Sequence, residues 1–404
     1  MAHAYRARWL IPAEGPILED AALVADGGRI VRIGPWSSLK AHVGGSDTVE
    51  HFPESALLPG LVNAHTHLSL SDMRGKFRPT KNFTSWIARL AARRVILSKA
   101  QLREAVQHGA AESLAAGTVA GADLTSDGHM DDLLGRDGAR WTVFGEMFMF
   151  GKTGFTRLRS AVDTMTLLAR AAPVRVGLSP HTPYTVSLEV FMAARREADA
   201  RGWPLSTHLH ETEDEIAFIE RGEGTLHMWM ERLHLLPRDW RPAGVRPIRM
   251  LADAGFFSGP VLAAHANYLT DDDIAVLAGS GSSVAFCPRS HAFFKHKDHP
   301  WRRLLAAGVN VCLGTDSLAS CPSLSVLDEA KFLFAQGGAE PQLLLAMATR
   351  RGARALSLED VTGDLRKGLA AEFCVIEPTA AAHEPLAAIL TGQSGPLRLV
   401  VRQL

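Results

Sequence analysis

A series of eight short apolar runs, each ending in polar residues, constrains the fold of this chain more than any other feature of its sequence. Stretches with a helical pattern separate the runs. Strands that alternate with helices predict parallel βα units, and eight such units predict a (β/α)8 TIM barrel. The runs are GLVNAHTH (60–67), TVAGADLT (118–125), WTVFGEMF (141–148), VRVGLSPH (174–181), PLSTHLHE (204–211), PVLAAHAN (260–267), SSVAFCPR (282–289) and NVCLGTDS (310–317).

A doubly wound open sheet is the alternative, but the chain lacks the motifs that would favour it. No G-x-G-x-x-G follows an early strand, and no G-x-x-x-x-G-K-S/T occurs. Helix signals fit the stretches between the runs. Ser187 and Gly202 are predicted to cap one helix, and Gly117 to end another. TDDDIAVLAGSG places three acids in a first turn, and PQLLLAMATRRGARAL (341–356) is predicted as the last helix.

The two ends of the chain predict a second, smaller unit. AALVAD, Gly27-Gly28 and RIVRIG have the pattern of a hairpin, and GLAAEFCVIE near the other end is also strand-like. Neither end has the apolar content of a large core, and chain termini often lie close together. We therefore expect an α/β protein with two parts: a barrel over residues 58–356, and a small β-sandwich domain formed by residues 1–57 and 357–404.

Composition excludes several classes of partner. Lys+Arg and Asp+Glu both number 43 in 404 residues, so the zero formal charge gives no footprint for nucleic acid or an acidic membrane surface. No run approaches the ~18 apolar residues of a membrane helix. The first residues lack the pattern of a signal peptide, and the four cysteines form no C-x-x-C. We expect a cytoplasmic location, a small-molecule substrate, and no Cys-type zinc site.

The 17 histidines concentrate where a barrel would hold its active site. Residues at the C-terminal ends of barrel strands face the site, and side chains alternate along a strand. His208 and His210 therefore face the same side if their strand continues, and the pattern alone leaves the choice between them open. The polar residues at the predicted strand ends are His65, His67, His181, His208, His210, His265 and Asp316.

Imidazoles with one carboxylate predict a transition metal, Zn or Fe, because Ca and Mg prefer oxygen ligands. We expect one divalent ion per chain. HETED (210–214) starts like the H-E-x-x-H helix of zinc proteases, but position 214 is Asp. His291, His296 and His299 are interpreted as a polar loop after the seventh strand, with a second metal site as the alternative.

PGLVNAHTH, LGTDS and GDLRKGLAAEFCVIE, in this order, resemble the amidohydrolase superfamily over nearly the whole chain. The fourth run ends Ser179-Pro180-His181 without the lysine of binuclear members, so the resemblance implies a mononuclear site. THLHET is similar to the H-x-x-E of aromatic-base deaminases. That match makes His208 the ligand, with His210 as the variable position, and Glu211 the proton shuttle. The implied metal set is His65, His67, His208 and Asp316, and the implied catalytic set is Glu211, His265 and Asp316.

This set suits hydrolytic deamination of an aromatic ring. A metal lowers the pKa of water to roughly 7 and so supplies hydroxide. Asp316 and His265 would orient that nucleophile. Glu211 would take its proton, give it to the ring nitrogen and help ammonia leave.

Local strings narrow the resemblance. HTHLSLS, FTSWI, GLSPHTPYTVS, CPRSHAFF and GTDSLAS are most similar to aminodeoxyfutalosine deaminases, which act on an adenine nucleoside in a menaquinone pathway. That substrate carries a benzoate. Arg289 is the candidate to bind it, with packing on the barrel rim as the alternative. His181 is expected at the sugar. Trp86 is expected to close over the base or to pack beneath its loop, and His291 and Ser320 complete the substrate set.

Other substrates and roles remain open from sequence. Many relatives have Asn where His291 and Cys321 stand, which weakens the substrate assignment but not the reaction type. S-adenosylhomocysteine or methylthioadenosine would be deaminated by the same core. A guanine deaminase, a chlorohydrolase and a catalytically silent scaffold are further alternatives. The sequence leaves open Zn against Fe, and whether the protein forms a homodimer.

Overall fold

The computed structural model describes residues 2–44, 48–126, 134–136, 138–379 and 384–401. The strands are β1 (His3–Leu10), β2 (Leu18–Asp26), β3 (Arg29–Pro35), β4 (Thr48–Pro59), β5 (Leu61–Thr66), β6 (Thr118–Thr125), β7 (Arg140–Met147), β8 (Arg175–Pro180), β9 (Ser206–Leu209), β10 (Leu262–His265), β11 (Ser283–Phe286), β12 (Asn310–Leu313), β13 (Glu372–Ile376) and β14 (Arg398–Val401). The helices are α1 (Trp36–Leu39), α2 (Phe83–Val95), α3 (Lys99–Ala115), α4 (Gly151–Ala171), α5 (Leu188–Arg201), α6 (Glu213–Arg221), α7 (Thr225–Arg232), α8 (Pro247–Asp253), α9 (Asp271–Gly279), α10 (Pro288–Phe293), α11 (Trp301–Ala306), α12 (Val326–Ala335), α13 (Pro341–Ala348), α14 (Arg350–Ala355) and α15 (Pro385–Leu390).

Strands β5 to β12 form the predicted (β/α)8 barrel, and each of the eight apolar runs contains one of them. They pair in parallel as two four-stranded sheets, β5-β6-β7-β8 and β9-β10-β11-β12. Parallel bridges between Leu178 and Leu205 and between Thr66 and Asp316 join the two sheets at both seams. The sheet is therefore closed, and the open-sheet alternative is wrong.

The barrel has an apolar interior beneath its active-site mouth. Side chains alternate along β7, so Val143 packs toward the surrounding helices while Phe144 packs inside the barrel. Gly177 on β8 makes room for the Phe144 ring, because a Cβ at position 177 would lie 2.7 Å from it. The same alternation places the side chain of residue 146 on the interior face of the barrel, like that of Phe144, near the C-terminal end of β7.

Both ends of the chain contribute to a six-stranded sheet in the order β14-β13-β4-β1-β2-β3. β1 and β4 pair in parallel, and the other neighbours pair antiparallel. Gly27 and Gly28 have φ of 53° and 73° and form the predicted hairpin turn between β2 and β3. The domain boundaries at 57 and 357 stay a prediction, and residues 1 and 402–404 of that unit lie outside the described ranges.

The helix signals are confirmed with one correction. Ser187 and Gly202 bound α5, and the three acids occupy the first turn of α9. Gly117 follows the C-cap of α3 with a φ of +93°. The single helix predicted over 341–356 is wrong. The chain breaks at Thr349, with φ −136° and ψ −96°, where the Thr349 hydroxyl donates to the Leu345 carbonyl, and α13 and α14 result.

Candidate metal centre and active site

The histidines and the aspartate predicted as metal ligands meet at the C-terminal mouth of the barrel. The Nε2 atoms of His67 and His208 lie 3.2 Å apart. The Nε2 atoms of His65 and His67 lie 3.9 and 3.8 Å from Asp316 Oδ1. All four side chains are buried or nearly so. Residues separated by up to 251 positions in the chain thus share one small volume.

The two motifs that supply these residues interlock at the seam between β5 and β12. The amides of Thr315 and Asp316 both donate to the His65 carbonyl, at 3.0 and 3.1 Å. Asn63 donates to the Thr315 hydroxyl at 2.8 Å and accepts from the Thr315 amide. Gly314 permits this approach, because a Cβ there would lie 2.8 Å from the His65 Cβ. The glycine of LGTDS therefore brings the aspartate to the histidines.

The ring nitrogens of His65 show whether the site suits a metal ion. Both of its ring nitrogens are buried, and neither has a hydrogen-bond partner among the described residues. Buried polar atoms are rarely left unpaired, so the ring is suited to an ion. Two nitrogens at 2.0–2.1 Å from a tetrahedral ion would lie about 3.3 Å apart. The observed 3.2 Å between His67 and His208 fits that value.

Burial also sets the protonation of these rings. Desolvation, reinforced by the neighbouring histidines, lowers the pKa of His65 and His208 well below the usual range. The pKa of His67 is lowered by burial and raised again by Asp316, with burial the larger effect. The rings are therefore neutral near pH 7 and offer lone pairs, as ligation of a transition metal requires.

Two serines hold the carboxylate of Asp316. The hydroxyls of Ser290 and Ser320 each donate to Asp316 Oδ2 at 2.7 Å, which leaves Oδ1 facing the histidines. Ser320 was predicted to bind substrate. Its hydroxyl is instead within hydrogen-bond distance of Asp316 and Ser290, so its contacts favour a positioning role. Asp316 itself has a φ of +58°, and such strain is common at functional sites.

Replacing Ser320 with Ala is expected to weaken metal affinity about 10-fold, because outer-shell partners of ligands typically contribute 10- to 100-fold. Isothermal titration of the metal-free protein with Zn²⁺ measures this. Ser317→Ala is the control, since the Ser317 carbonyl, rather than its hydroxyl, accepts from the Ser320 amide. Unchanged affinity in Ser320→Ala would contradict the positioning role.

The loop after β9 separates His208 from His210. The strand ends at Leu209, and His210 has a φ of +51°, which turns its ring out of the mouth. Its Nε2 accepts from the Ile248 amide at 3.2 Å. The strand thus turns, and His208 alone points at the other candidate ligands.

Glu211, the predicted proton shuttle, follows this turn and is buried. Its Oε1 lies 3.7 Å from His265 Nε2. Burial, with Asp316 and Glu215 nearby, raises the pKa of Glu211 well above its usual range. A carboxyl held in this way can carry a proton near neutral pH.

Glu215 fixes the backbone that carries Glu211. The amides of His210 and Glu211 donate to its two oxygens, each at 2.9 Å. The sequence interpretation missed this residue, although ETEDE places several acids at the start of α6. On the other side of Glu211, Asn267 donates to its carbonyl at 2.9 Å. The backbone of Glu211 is therefore held by hydrogen bonds to both Glu215 and Asn267.

His265 ends β10 with a φ of +68° and is buried beside His65. Its carbonyl lies 2.7 Å from His299 Nε2. His296 Nδ1 pairs with the Tyr268 hydroxyl at 2.8 Å. Within the described ranges, the groups of potential ligands whose atoms lie within 4.8 Å of one another all sit at the barrel mouth, and none is made of His291, His296 and His299. The loop interpretation of those three histidines is favoured over a second metal.

Arg289 does not have the surroundings expected of a substrate-binding cation. Its Nε donates to Glu329 at 2.7 Å, and its terminal nitrogens donate to the hydroxyl and carbonyl of Ser323 and to the carbonyl of Ser325. The Arg289 amide also donates to Glu329. The guanidinium therefore joins α10 to the start of α12, and its contacts favour the rim-packing alternative.

Arg289→Met is expected to lower the free energy of unfolding by about 3 kcal/mol, because it leaves the fully buried Glu329 without its cation. KM is expected to stay within about twofold, the change left by a residue that does not touch substrate. Denaturant unfolding and steady-state kinetics measure the two effects. Arg303→Ala, at an exposed ion pair, is the control and should change stability by less than about 1 kcal/mol. A large rise in KM with unchanged stability would restore Arg289 to the substrate site.

The other substrate candidates lie around the mouth. Trp86 is buried in an apolar cluster with Phe83 and Phe294, and its Nε1 faces the Ala319 carbonyl at 3.4 Å. These contacts favour packing beneath the loop. His291 keeps a buried Nε2 without a partner among the described residues. His181 lies next to His208, with ring centroids 4.8 Å apart. The substrate roles of His181 and His291 stay predictions.

Glu146 is the residue at the mouth that the sequence interpretation missed. It is the residue before the last of β7, and its Oε1 lies 3.6 Å from His208 Nδ1. Burial raises its pKa to about 8. The signal was present, since Glu146 is the charged residue of the third apolar run and lies near its end, but no motif drew attention to it.

Comparison with known proteins identifies the family to which the chain is similar. The model of the amidohydrolase family matches residues 56–400. A 5-methylthioadenosine/S-adenosylhomocysteine deaminase of Moorella thermoacetica is 28% identical over 91% of this chain and 84% of the relative. An aminodeoxyfutalosine deaminase of Deinococcus radiodurans is 31% identical over 74% of this chain and 73% of the relative. In the described part of the chain, no helix has the length and apolar character needed to cross a membrane.

Solved structures agree on the fold. The chain superposes on an aminofutalosine deaminase of Helicobacter pylori in complex with methylthio-coformycin with a TM-score of 0.87, at 22% identity over 99% of this chain and 98% of that one. A zinc-bound adenosine deaminase of Xanthomonas campestris gives a TM-score of 0.83 at 24% identity, over 99% of this chain and 91% of that one. The chain therefore belongs to the amidohydrolase family, as a hydrolase of carbon–nitrogen bonds other than peptide bonds.

Proposed function

We propose that this protein is a mononuclear-metal deaminase of an adenine nucleoside. The observation that carries the proposal is the buried His65 ring, with both nitrogens unpartnered among the described residues, beside His67, His208 and Asp316. The buried Glu211 lies 3.7 Å from His265, whose ring is next to that of His65. His65, His67, His208 and Asp316 would hold one Zn or Fe ion. Such an ion, when bound, supplies hydroxide near neutral pH.

Glu211 would carry out the proton transfers of the reaction. Deamination adds water to the ring carbon that carries the amino group, breaks the carbon–nitrogen bond and releases ammonia. Glu211 takes one proton from the water and delivers it to the neighbouring ring nitrogen. The second proton of the water then passes through Glu211 to the amino group, which leaves as ammonia while the ring carbon keeps the oxygen as a carbonyl.

His265 and Asp316 would orient the nucleophile. His265 Nε2 lies 3.7 Å from the Glu211 carboxyl, and Asp316 Oδ1 is kept free of the serines that bind Oδ2. Burial lowers the pKa of His265 to about 3, so the ring is neutral and can accept a hydrogen bond. The burial of these side chains limits their contact with bulk water, which strengthens these interactions.

Within this class we favour aminodeoxyfutalosine as the substrate, in a cytoplasmic menaquinone pathway. The named relative from D. radiodurans and the local sequence strings support it. The engagement of Arg289 by Glu329 removes the expected partner of the benzoate. Methylthioadenosine and S-adenosylhomocysteine, named for the relative from M. thermoacetica, are therefore the second candidates.

Ammonia release from a panel of substrates tests the proposal. Aminodeoxyfutalosine, methylthioadenosine, S-adenosylhomocysteine and 5′-deoxyadenosine are compared with guanine and a chlorotriazine. We expect kcat/KM above about 10⁴ M⁻¹s⁻¹ for at least one adenine nucleoside, the lower end of the usual range for enzymes. Turnover confined to guanine or the triazine would contradict the proposal. Absence of turnover by metal-loaded protein would favour the silent scaffold.

A further inference from the structure

Glu146 has a place in the mouth that the proposed reaction does not use. It follows Phe144 by two positions on β7 and therefore lies on the interior face of the barrel. It pairs in register with Ser179 of β8, the strand that leads to His181. The carboxyl is thus one layer above the apolar interior, at the level of the candidate metal ligands.

One oxygen of the Glu146 carboxyl lacks a hydrogen-bond partner among the described residues. This oxygen, Oε1, is buried. The nearest titratable atom, His208 Nδ1, is 3.6 Å away, beyond a good hydrogen bond, and lies 3.3 Å from the His181 carbonyl. A buried polar atom left unpaired is costly, so its presence at a site points to a ligand.

The ring of His181 stands beside it. Its Nδ1 pairs with the Thr185 hydroxyl at 2.8 Å, which leaves Nε2 for another partner. One potential ligand atom from each of Glu146, His181 and His208 lies within 4.8 Å of the others.

We propose that Glu146 is a specificity-determining residue that binds a sugar hydroxyl of the substrate, next to His181. The inference rests on the proposed nucleoside deamination and deepens it. A hydroxyl can donate to the unpartnered Oε1 of Glu146, so it complements that oxygen. The position suits this role, because β7 and β8 lie on one side of the candidate ligand His208 on β9. Glu211 follows β9, and His265 ends β10 on the other side.

The experiment compares adenosine with its 2′-deoxy and 3′-deoxy analogues in the wild type and in Glu146→Leu. In the wild type, loss of the bound hydroxyl is expected to lower kcat/KM about 10- to 100-fold. In Glu146→Leu, activity on adenosine is expected to fall by a similar factor, while the ratio between adenosine and the deoxy analogue falls to about threefold or less. Glu146→Gln, which keeps a donor and an acceptor, should retain most of the discrimination.

Two controls separate this role from others. Glu372→Gln changes a buried glutamate of the terminal sheet and should keep the wild-type ratio. Bound metal per chain should stay the same in Glu146→Leu. Equal loss on all three nucleosides, or loss of metal, would overturn the proposal in favour of a role in orienting His208. Wild-type protein that turns over both deoxy analogues as well as adenosine would also overturn it, even if the variants did not fold. A wild type that releases no ammonia from any adenine nucleoside would overturn the proposed function as well.

Discussion

Replacing Glu211 with Gln is expected to lower kcat by about a thousandfold, within the range of general acid–base catalysis, while the bound metal is retained. Gln occupies nearly the same volume and keeps the hydrogen-bonding capacity, but it cannot take a proton from water and pass it to the ring. Glu211 is absent from the candidate ligand groups of the described residues, so metal content should not change. Steady-state kinetics and metal analysis of the purified variant measure both.

The matched control lies two positions away. Glu213 is at the start of α6, is exposed, and pairs with Lys297 on the surface. Glu213→Gln should therefore keep near-normal kcat. If Glu211→Gln also kept near-normal kcat, Glu211 would have no part in proton transfer. If Glu211→Gln lost its metal, the effect would belong to the metal centre instead.

His208→Ala is expected to lose both the metal and at least about 10⁴-fold of the activity, because an ion that supplies the nucleophile accounts for much of the rate. Removing the metal from the wild type with a chelator should have the same effect. Addition of Zn²⁺ or Fe²⁺ should then restore the wild type and leave His208→Ala inactive. Inductively coupled plasma mass spectrometry measures the metal per chain.

His210→Asn is the control for this variant, because His210 has the same side chain only two positions along. Its ring is turned away from the mouth and holds the Ile248 amide. The His210→Asn variant should be less stable than the wild type but should keep one metal ion per folded chain. Metal loss in His210→Asn and metal retention in His208→Ala would reverse the assignment of the two histidines.

The barrel was readable from sequence because each strand ends in a recognisable way. An apolar run followed by polar residues marks a strand that leaves the core at the active-site mouth, and seven of the eight runs end in a polar residue. His65 and His67 are separated by one residue, so alternation along the strand directs both side chains to the same side. The choice between His208 and His210 could not be made from alternation, since it depends on the positive φ at residue 210.

Other features depended on contacts between distant segments. Arg289 donates to Glu329, Ser323 and Ser325. These residues come close to Arg289 because α12 packs against α10, and the local sequence CPRSH around Arg289 contains no sign of that packing. Ser320 donates to Asp316 because the loop after β12 folds back on itself. Glu146 could have been found by reading every polar residue at a strand end, with or without a motif.

The most direct test of the account is a crystal structure of the metal-loaded protein with anomalous diffraction collected at the absorption edge of the bound metal. We expect one strong peak per chain, about 2.0–2.3 Å from nitrogens of His65, His67 and His208 and from a carboxylate oxygen of Asp316. A peak held by other residues, or a mouth without any peak in protein that retains activity, would contradict the account.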